Sequence, residues 1–124
     1  MSMIAGLIKE YVSNAIAIAS IDYADKKSVR RCNALADRMR TIVDQVVSLG
    51  QDAVLEFAAL IDDKRAGSRV AHHLVEKAAL DRETLLKCFA RVEQARVDAE
   101  ARGDPATARG EAMWLDEWRA KKNV

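Results

Sequence analysis

The sequence predicts an all-α domain of about six helices, packed as antiparallel hairpins into a short stack. Three observations carry this expectation. The 124 residues include one Pro and five Gly, too few turn-formers for a chain of many short strands. No stretch alternates apolar and polar residues as a half-buried strand does. Apolar residues instead recur along most of the chain at helical spacing, which advances about 100° per residue. The length suits a single domain over residues 1–124, large enough to bury a core without disulfides or metals.

The first helix is expected over residues 3–22. Its stretch Ile4 to Ile21 is rich in Ile and Ala but is interrupted by Lys9, Glu10, Ser13, Asn14 and Ser20. A membrane span needs roughly 20 predominantly apolar residues, so this segment reads as a buried core helix. A turn at Asp22 to Asp25 leads to the cleanest pattern in the chain, Lys26 to Leu49. There Val29, Cys32, Leu35, Ala36, Met39, Ile42, Val43, Val46 and Val47 share one arc, opposite Lys26, Lys27, Arg30 and Arg31. Gly50 stops this helix and is expected in the left-handed helical region.

Gln51 or Asp52 is a candidate cap for a third helix, Ala53 to Ile61, whose few polar positions make it central. The run Asp62 to Gly67 is a turn, and Ser68 is the expected N-cap of a fourth helix reaching Leu80. Asp81 caps a fifth, with Leu85, Cys88, Phe89, Val92, Ala95 and Ala99 on one face and Gly103 at its end. Asp104-Pro105 opens the sixth, which runs to about Lys121; the Asp side chain accepts at the cap, and Pro lacks only an N–H that would be unbonded anyway. The acidic turn Asp62-Asp63, followed by a helix opening on Arg69, has the layout of a HEAT-type pair in which the Arg reaches back to the acids.

Three stretches carry a family resemblance: Cys32-Asn33-Ala34-Leu35-Ala36-Asp37-Arg38-Met39, Val70-Ala71-His72-His73-Leu74-Val75-Glu76 and Gly110-Glu111-Ala112-Met113-Trp114-Leu115-Asp116-Glu117-Trp118. In order and spacing the chain resembles a small family of bacterial proteins, the domain-of-unknown-function family two thousand and nineteen, of short HEAT-like α-α fold. The last stretch is the most specific, since a Met-Trp-Leu run closed by Glu-Trp is rare by composition. The family carries no established activity, so the resemblance implies a fold and little chemistry.

Composition narrows the function classes. With 50% hydrophobic and 31% charged residues the chain has ample apolar surface to offset chain entropy. Lys plus Arg total 20 against 19 Asp plus Glu, a formal charge of +1, so no global field draws the chain to nucleic acid or anionic lipid. Charge is nonetheless segregated: Lys26 to Arg40 is basic, and Asp44 to Asp63 carries only acids. Cys32 and Cys88 are the only cysteines and no secretory signal is visible, which fits a cytoplasmic chain with reduced thiols serving as small core side chains.

No Gly-rich phosphate loop, nucleophile elbow or Cys-pair metal motif occurs, so no catalytic residue, metal ligand or cofactor is assigned. His72 and His73, with Glu76 one turn on, could bind a metal or share a proton; adjacent His diverge by about 100°, and zinc needs three or four ligands. All three, with Arg69, fall on the polar face of the fourth helix, turned to solvent or a groove. Trp114 and Trp118, one turn apart, are expected to pack on the preceding helix. Glu111 projects into the same arc and must be paired, most simply with an Arg of another helix.

The leading expectation is therefore a non-enzymatic protein-interaction module, an immunity or inhibitory partner being one such role. Its candidate surfaces are Arg69, His72, His73 and Glu76, and the basic stripe Lys26, Lys27, Arg30 and Arg31 continued by Arg38. A second copy joined through Trp114 and Trp118 is another candidate partner. The alternatives are a small metal-binding protein or enzyme using His72, His73 and Glu76, and a weak nucleic-acid binder through the stripe.

Overall fold

Helix follows helix in the computed structural model of the chain, which describes residues 3–20, 22 and 24–124. The elements are α1 Met3–Ala19, α2 Lys26–Leu49, α3 Gln51–Ala58, α4 Gly67–Lys77, α5 Arg82–Ala101 and α6 Pro105–Lys122, with a single 3-10 turn at Ala59–Asp62 after α3. No strand occurs among the described residues, and the all-α expectation holds.

The core follows from the apolar arcs. α1 buries Ile4, Leu7, Tyr11, Ala15 and Ile18, three or four residues apart, and α2 buries Met39, Ile42, Val43 and Val46. Phe57 of α3, Val70, Ala71, Leu74 and Val75 of α4, and Cys88, Phe89 and Val92 of α5 complete one continuous cluster with them. Each large aliphatic or aromatic side chain so buried contributes about 1.5–3 kcal/mol relative to exposure. Consecutive helices pack on each other, α3 and α4 also meet α2, and α6 rests chiefly on α5. The first turns of α2 lie at the edge of this core: Cys32, Leu35 and Ala36 pack against it half-buried, Val29 is half-buried too, and Lys26, Lys27, Arg30 and Arg31 stand on an exposed ridge.

Several boundaries differ from those expected. α1 ends at Ala19 with Ser20 in a turn; Ile21 and Tyr23, placed by the sequence at the helix end and in the next turn, lie outside the described residues. Gly50 has φ 110° and ψ 178°, a positive-φ region other than the left-handed helix and essentially reserved to glycine. Because this one residue joins the two helices, α3 starts at Gln51 without a side-chain cap, and its last turn tightens to 3-10. α4 stops at Lys77. Ser68 is not its N-cap: the Asp63 carboxylate accepts from Arg65 N and Ala66 N at 2.7 and 3.0 Å and organises the turn one step earlier. These backbone donors hold the Asp63 carboxyl below the usual carboxylate range. Asp63 thus pairs with Arg65, not with Arg69 as the HEAT-type layout suggested. Asp81 and Asp104 do cap α5 and α6, accepting from Thr84 N and Thr107 N, and Pro105 takes the first position of α6.

At the start of α4, Gly67 lets two backbones and a side chain meet. A Cβ there would lie 2.3 Å from Ile61 O and 2.7 Å from Arg91 Nε. The gap is used by Arg91, whose Nε donates to Ile61 O at 3.1 Å and ties α5 to the end of the 3-10 turn.

Candidate functional site

Burial of Val70, Ala71, Leu74 and Val75 fixes the rotation of α4. Its polar arc then faces a groove of about 550 Å³ bounded by α4, α5 and α6 and reached by Arg40 of α2. Arg69, His72, His73 and Glu76, the face singled out from sequence, all line it. The sequence offered solvent or a groove for the two histidines. The structure gives the groove, with both rings half-buried and partnered.

His73 meets α1. The Tyr11 hydroxyl lies 2.7 Å from His73 Nδ1, and Tyr11 is fully buried, edge-on to Phe57 at 4.9 Å between ring centres. Burial first, and then the positive charges of His72, Arg40, Arg69 and Lys77, bring the His73 pKa down to about 4. Burial also raises the Tyr11 pKa well above its ordinary value. His73 and Tyr11 therefore share this hydrogen bond with both groups neutral. Tyr11 was not anticipated; its position on the apolar arc of α1 was the available signal, since a buried phenol needs a polar partner.

His72 meets α6. Its Nε2 stands 3.1 and 3.2 Å from the two carboxylate oxygens of Glu111, both side chains being largely withdrawn from solvent, at 21% and 17% exposure. Glu111 is thus paired, as a carboxylate on that arc must be, but with a histidine and not with the expected arginine. The correction has a geometric cause: His72 is the residue of α4 that faces the first half of α6, whereas the groove arginines arise from α2, the start of α4 and α5.

On the other edge of the ring, His72 Nδ1 is 4.0 Å from Glu76 Oε2, and the same oxygen accepts from Trp114 Nε1 at 2.9 Å. The Trp114 ring lies 4.2 Å from that of His72 and 5.8 Å from Phe89 of α5. Trp114 therefore packs on the preceding helix as expected, but only half-buried and with its indole held by α4. Trp118, also half-buried, lies outside the groove lining, with the Lys121 ammonium 4.4 Å from its ring centre.

Glu76 and Glu111 face opposite nitrogens of one imidazole, an arrangement that orients the ring between two acceptors. Among the described residues no group of three or more His, Cys, Asp and Glu side chains could hold a metal ion together.

The remaining lining is mostly cationic: Arg40, Lys64, Arg69, Arg91 and Arg102 against Glu76, Asp98 and Glu111. Each carboxylate is already engaged, Glu76 by Trp114, Glu111 by His72 and Asp98 by Gln94 Nε2 at 2.8 Å. Arg40 pairs with Asp37 and Arg102 with Asp104. Lys64 and Arg69 have no hydrogen bond or ion pair among the described residues, and Arg91 uses only its Nε. Sequence reading found Arg69 and missed Arg40, Lys64, Arg91 and Arg102, since their convergence depends on how α2, the turn before α4 and α5 come together around α4.

The basic ridge of α2 is separate. None of Lys26, Lys27, Arg30 and Arg31 lines the groove, and Arg38, expected to extend the ridge, is taken up by Glu10 of α1 at 2.8 Å. That pairing lowers the Glu10 pKa and raises that of Arg38.

Among the described residues no helix is long and apolar enough to cross a membrane. Comparison with family models, with curated proteins and with solved structures finds no match to this chain.

Proposed function

We propose that the chain is a non-enzymatic protein-interaction module whose α4–α5–α6 groove takes an acidic segment of a larger partner. One observation carries this reading: every groove carboxylate is engaged within the chain, while Lys64 and Arg69 are not. Five cationic side chains line the groove against three carboxylates, so its lining is positive overall, and a concave, partly desolvated surface of that sign favours encounter with an acidic partner. A stack of helical pairs, as in HEAT-type proteins, suits display of such a surface. Binding and blocking a larger protein, as an immunity or inhibitory partner does, requires no reacting group. The polar face of α4 ranks above the α2 ridge because its side chains are oriented by Glu111, Trp114 and Tyr11, whereas the ridge is solvated and unshaped.

Affinity purification from the native host, with quantitative mass spectrometry, tests the reading. Wild type is expected to recover a stoichiometric protein partner, the Lys64→Glu/Arg69→Glu variant to lose it and Lys27→Glu/Arg31→Glu to keep it. Recovery of no stoichiometric partner, or equal recovery by both variants, would count against it.

A further inference from the structure

The geometry points to a phosphoryl group, carried on a serine or threonine of the partner polypeptide, as the anion held in the groove by Lys64, Arg69 and Arg91. This rests on the groove being the partner-binding surface and adds the chemistry of the group that anchors there.

Arg91 is preorganised. Its Nε is fixed by Ile61 O at 3.1 Å, and the same atom lies 2.7 Å from where a Cβ on Gly67 would stand. The guanidinium is therefore pinned against the first turn of α4, beside Ser68 and Arg69, with its two terminal amino groups not consumed by any bond among the described residues. A fixed planar fork of donors suits an oxyanion with several acceptor oxygens. Lys64 and Arg69 line the same groove, so three positive charges and the Ser68 hydroxyl border one cavity.

Charge and shape select among anions. Against five cationic side chains and three carboxylates in the lining, a single carboxylate would leave part of the net positive charge uncompensated. A phosphomonoester carries about −1.5 to −2 at neutral pH and three strong acceptor oxygens. Among the described residues the groove is lined by no aromatic ring other than the two imidazoles, so they offer a nucleobase no stacking platform. Eight of its thirteen lining residues are charged and only Ala95 is aliphatic, a poor surface for an acyl chain. A phosphate on a polar polypeptide fits these walls.

Asp98 lies on α5 between Arg91 and Arg102 and opposes anion binding. It therefore supplies a control of opposite sign to the cation variants.

The test is an amide chemical-shift titration at fixed ionic strength with four probes: inorganic phosphate, blocked O-phosphoserine, blocked glutamate and a nucleoside monophosphate. Inorganic phosphate and blocked phosphoserine are expected to give saturable shifts confined to residues 64–70 and to the Arg91 side chain. Blocked glutamate is expected to bind about tenfold more weakly, in line with its single charge. Lys64→Gln and Arg69→Gln should each weaken phosphoserine binding by about threefold or more, and Asp98→Asn should strengthen it by about twofold. Arg91 is left intact because its bond to Ile61 also supports the fold.

Equal binding of glutamate and phosphoserine, shifts of the same midpoint on the α2 ridge, or no effect of the Asp98 variant would overturn the phosphoryl assignment. Tighter binding of the nucleotide than of phosphoserine would overturn the polypeptide assignment. If the native partner is lost by Lys64→Glu/Arg69→Glu yet carries no phosphate, the groove reading stands and the phosphoryl inference falls.

Discussion

His72 and Glu111, 39 residues apart in the chain, join α4 to α6 through one imidazole nitrogen shared between both carboxylate oxygens. α6 rests chiefly on α5, so this bond, with the Trp114 indole donating to Glu76, closes the third side of the groove. The groove is thus held at a set width by side chains, and its shape depends on two polar bridges.

A double-mutant cycle on His72→Gln and Glu111→Gln, read by urea unfolding, should show each change destabilising by about 1 kcal/mol and a coupling of similar size. Strict additivity of the two changes would mean that the contact does not tie the helices together.

Stability should fall on mild acidification because of His73. Its folded pKa, about 4, lies below the ordinary 6.5, so between those values the unfolded chain binds a proton that the folded chain refuses. The contribution is complete above pH 6.5, is lost as pH falls toward 4 and is flat below that. Its full size is on the order of 3 kcal/mol. Around the ring, Tyr11 supplies a neutral hydrogen-bond partner and His72, Arg40, Arg69 and Lys77 the opposing charges. Unfolding midpoints at neutral pH and near pH 5 should differ clearly for wild type and less for His73→Asn; an equal difference in both would remove His73 as the cause.

Two glycines should respond in opposite directions. Gly67→Ala must displace Ile61 O or the Arg91 side chain and should cost about 1–3 kcal/mol, the range for overpacking a filled site. Gly110 lies inside α6 with open space around its Cβ position, so Gly110→Ala should stabilise by roughly 0.5–1 kcal/mol. Thermal melts of the two variants check both signs, and a stabilised Gly67→Ala would show that Arg91 does not occupy that gap.

The two thiols should differ in reactivity. Cys88 is fully buried, and burial pushes its thiol up to about 12, leaving almost no thiolate at neutral pH. A Cys32→Ser variant is expected to react with a colorimetric disulfide reagent only after unfolding in guanidinium. Rapid labelling of the native variant would place Cys88 at the surface instead.

Helix order and the core were legible because they depend on local periodicity: Met39, Ile42, Val43 and Val46 fall on one arc whatever they pack against. Asp81 and Asp104 were legible as caps for the same reason, since a cap acts within its own turn. Short connections were harder. Gly50 joins two helices alone, so its backbone answers to both of them, and Asp63 organises its turn before Ser68 can serve as a cap. In the site, the polar face Arg69, His72, His73 and Glu76 followed from the rotation of α4. Its partners Tyr11, Glu111 and Trp114 come from helices 38 to 62 residues away by chain separation, and no local pattern encodes which of them arrives. Glu111 illustrates the limit: the arc showed that it needed a partner, and only the docking of α6 supplied the histidine.

Amide hydrogen exchange, followed for the chain alone and bound to its affinity-purified partner, tests the central claim most directly. Added protection is expected over residues 64–73, 91–102 and 107–111, with residues 26–31 of the α2 ridge unchanged. Protection centred on the ridge, with the groove segments unaltered, would contradict the account.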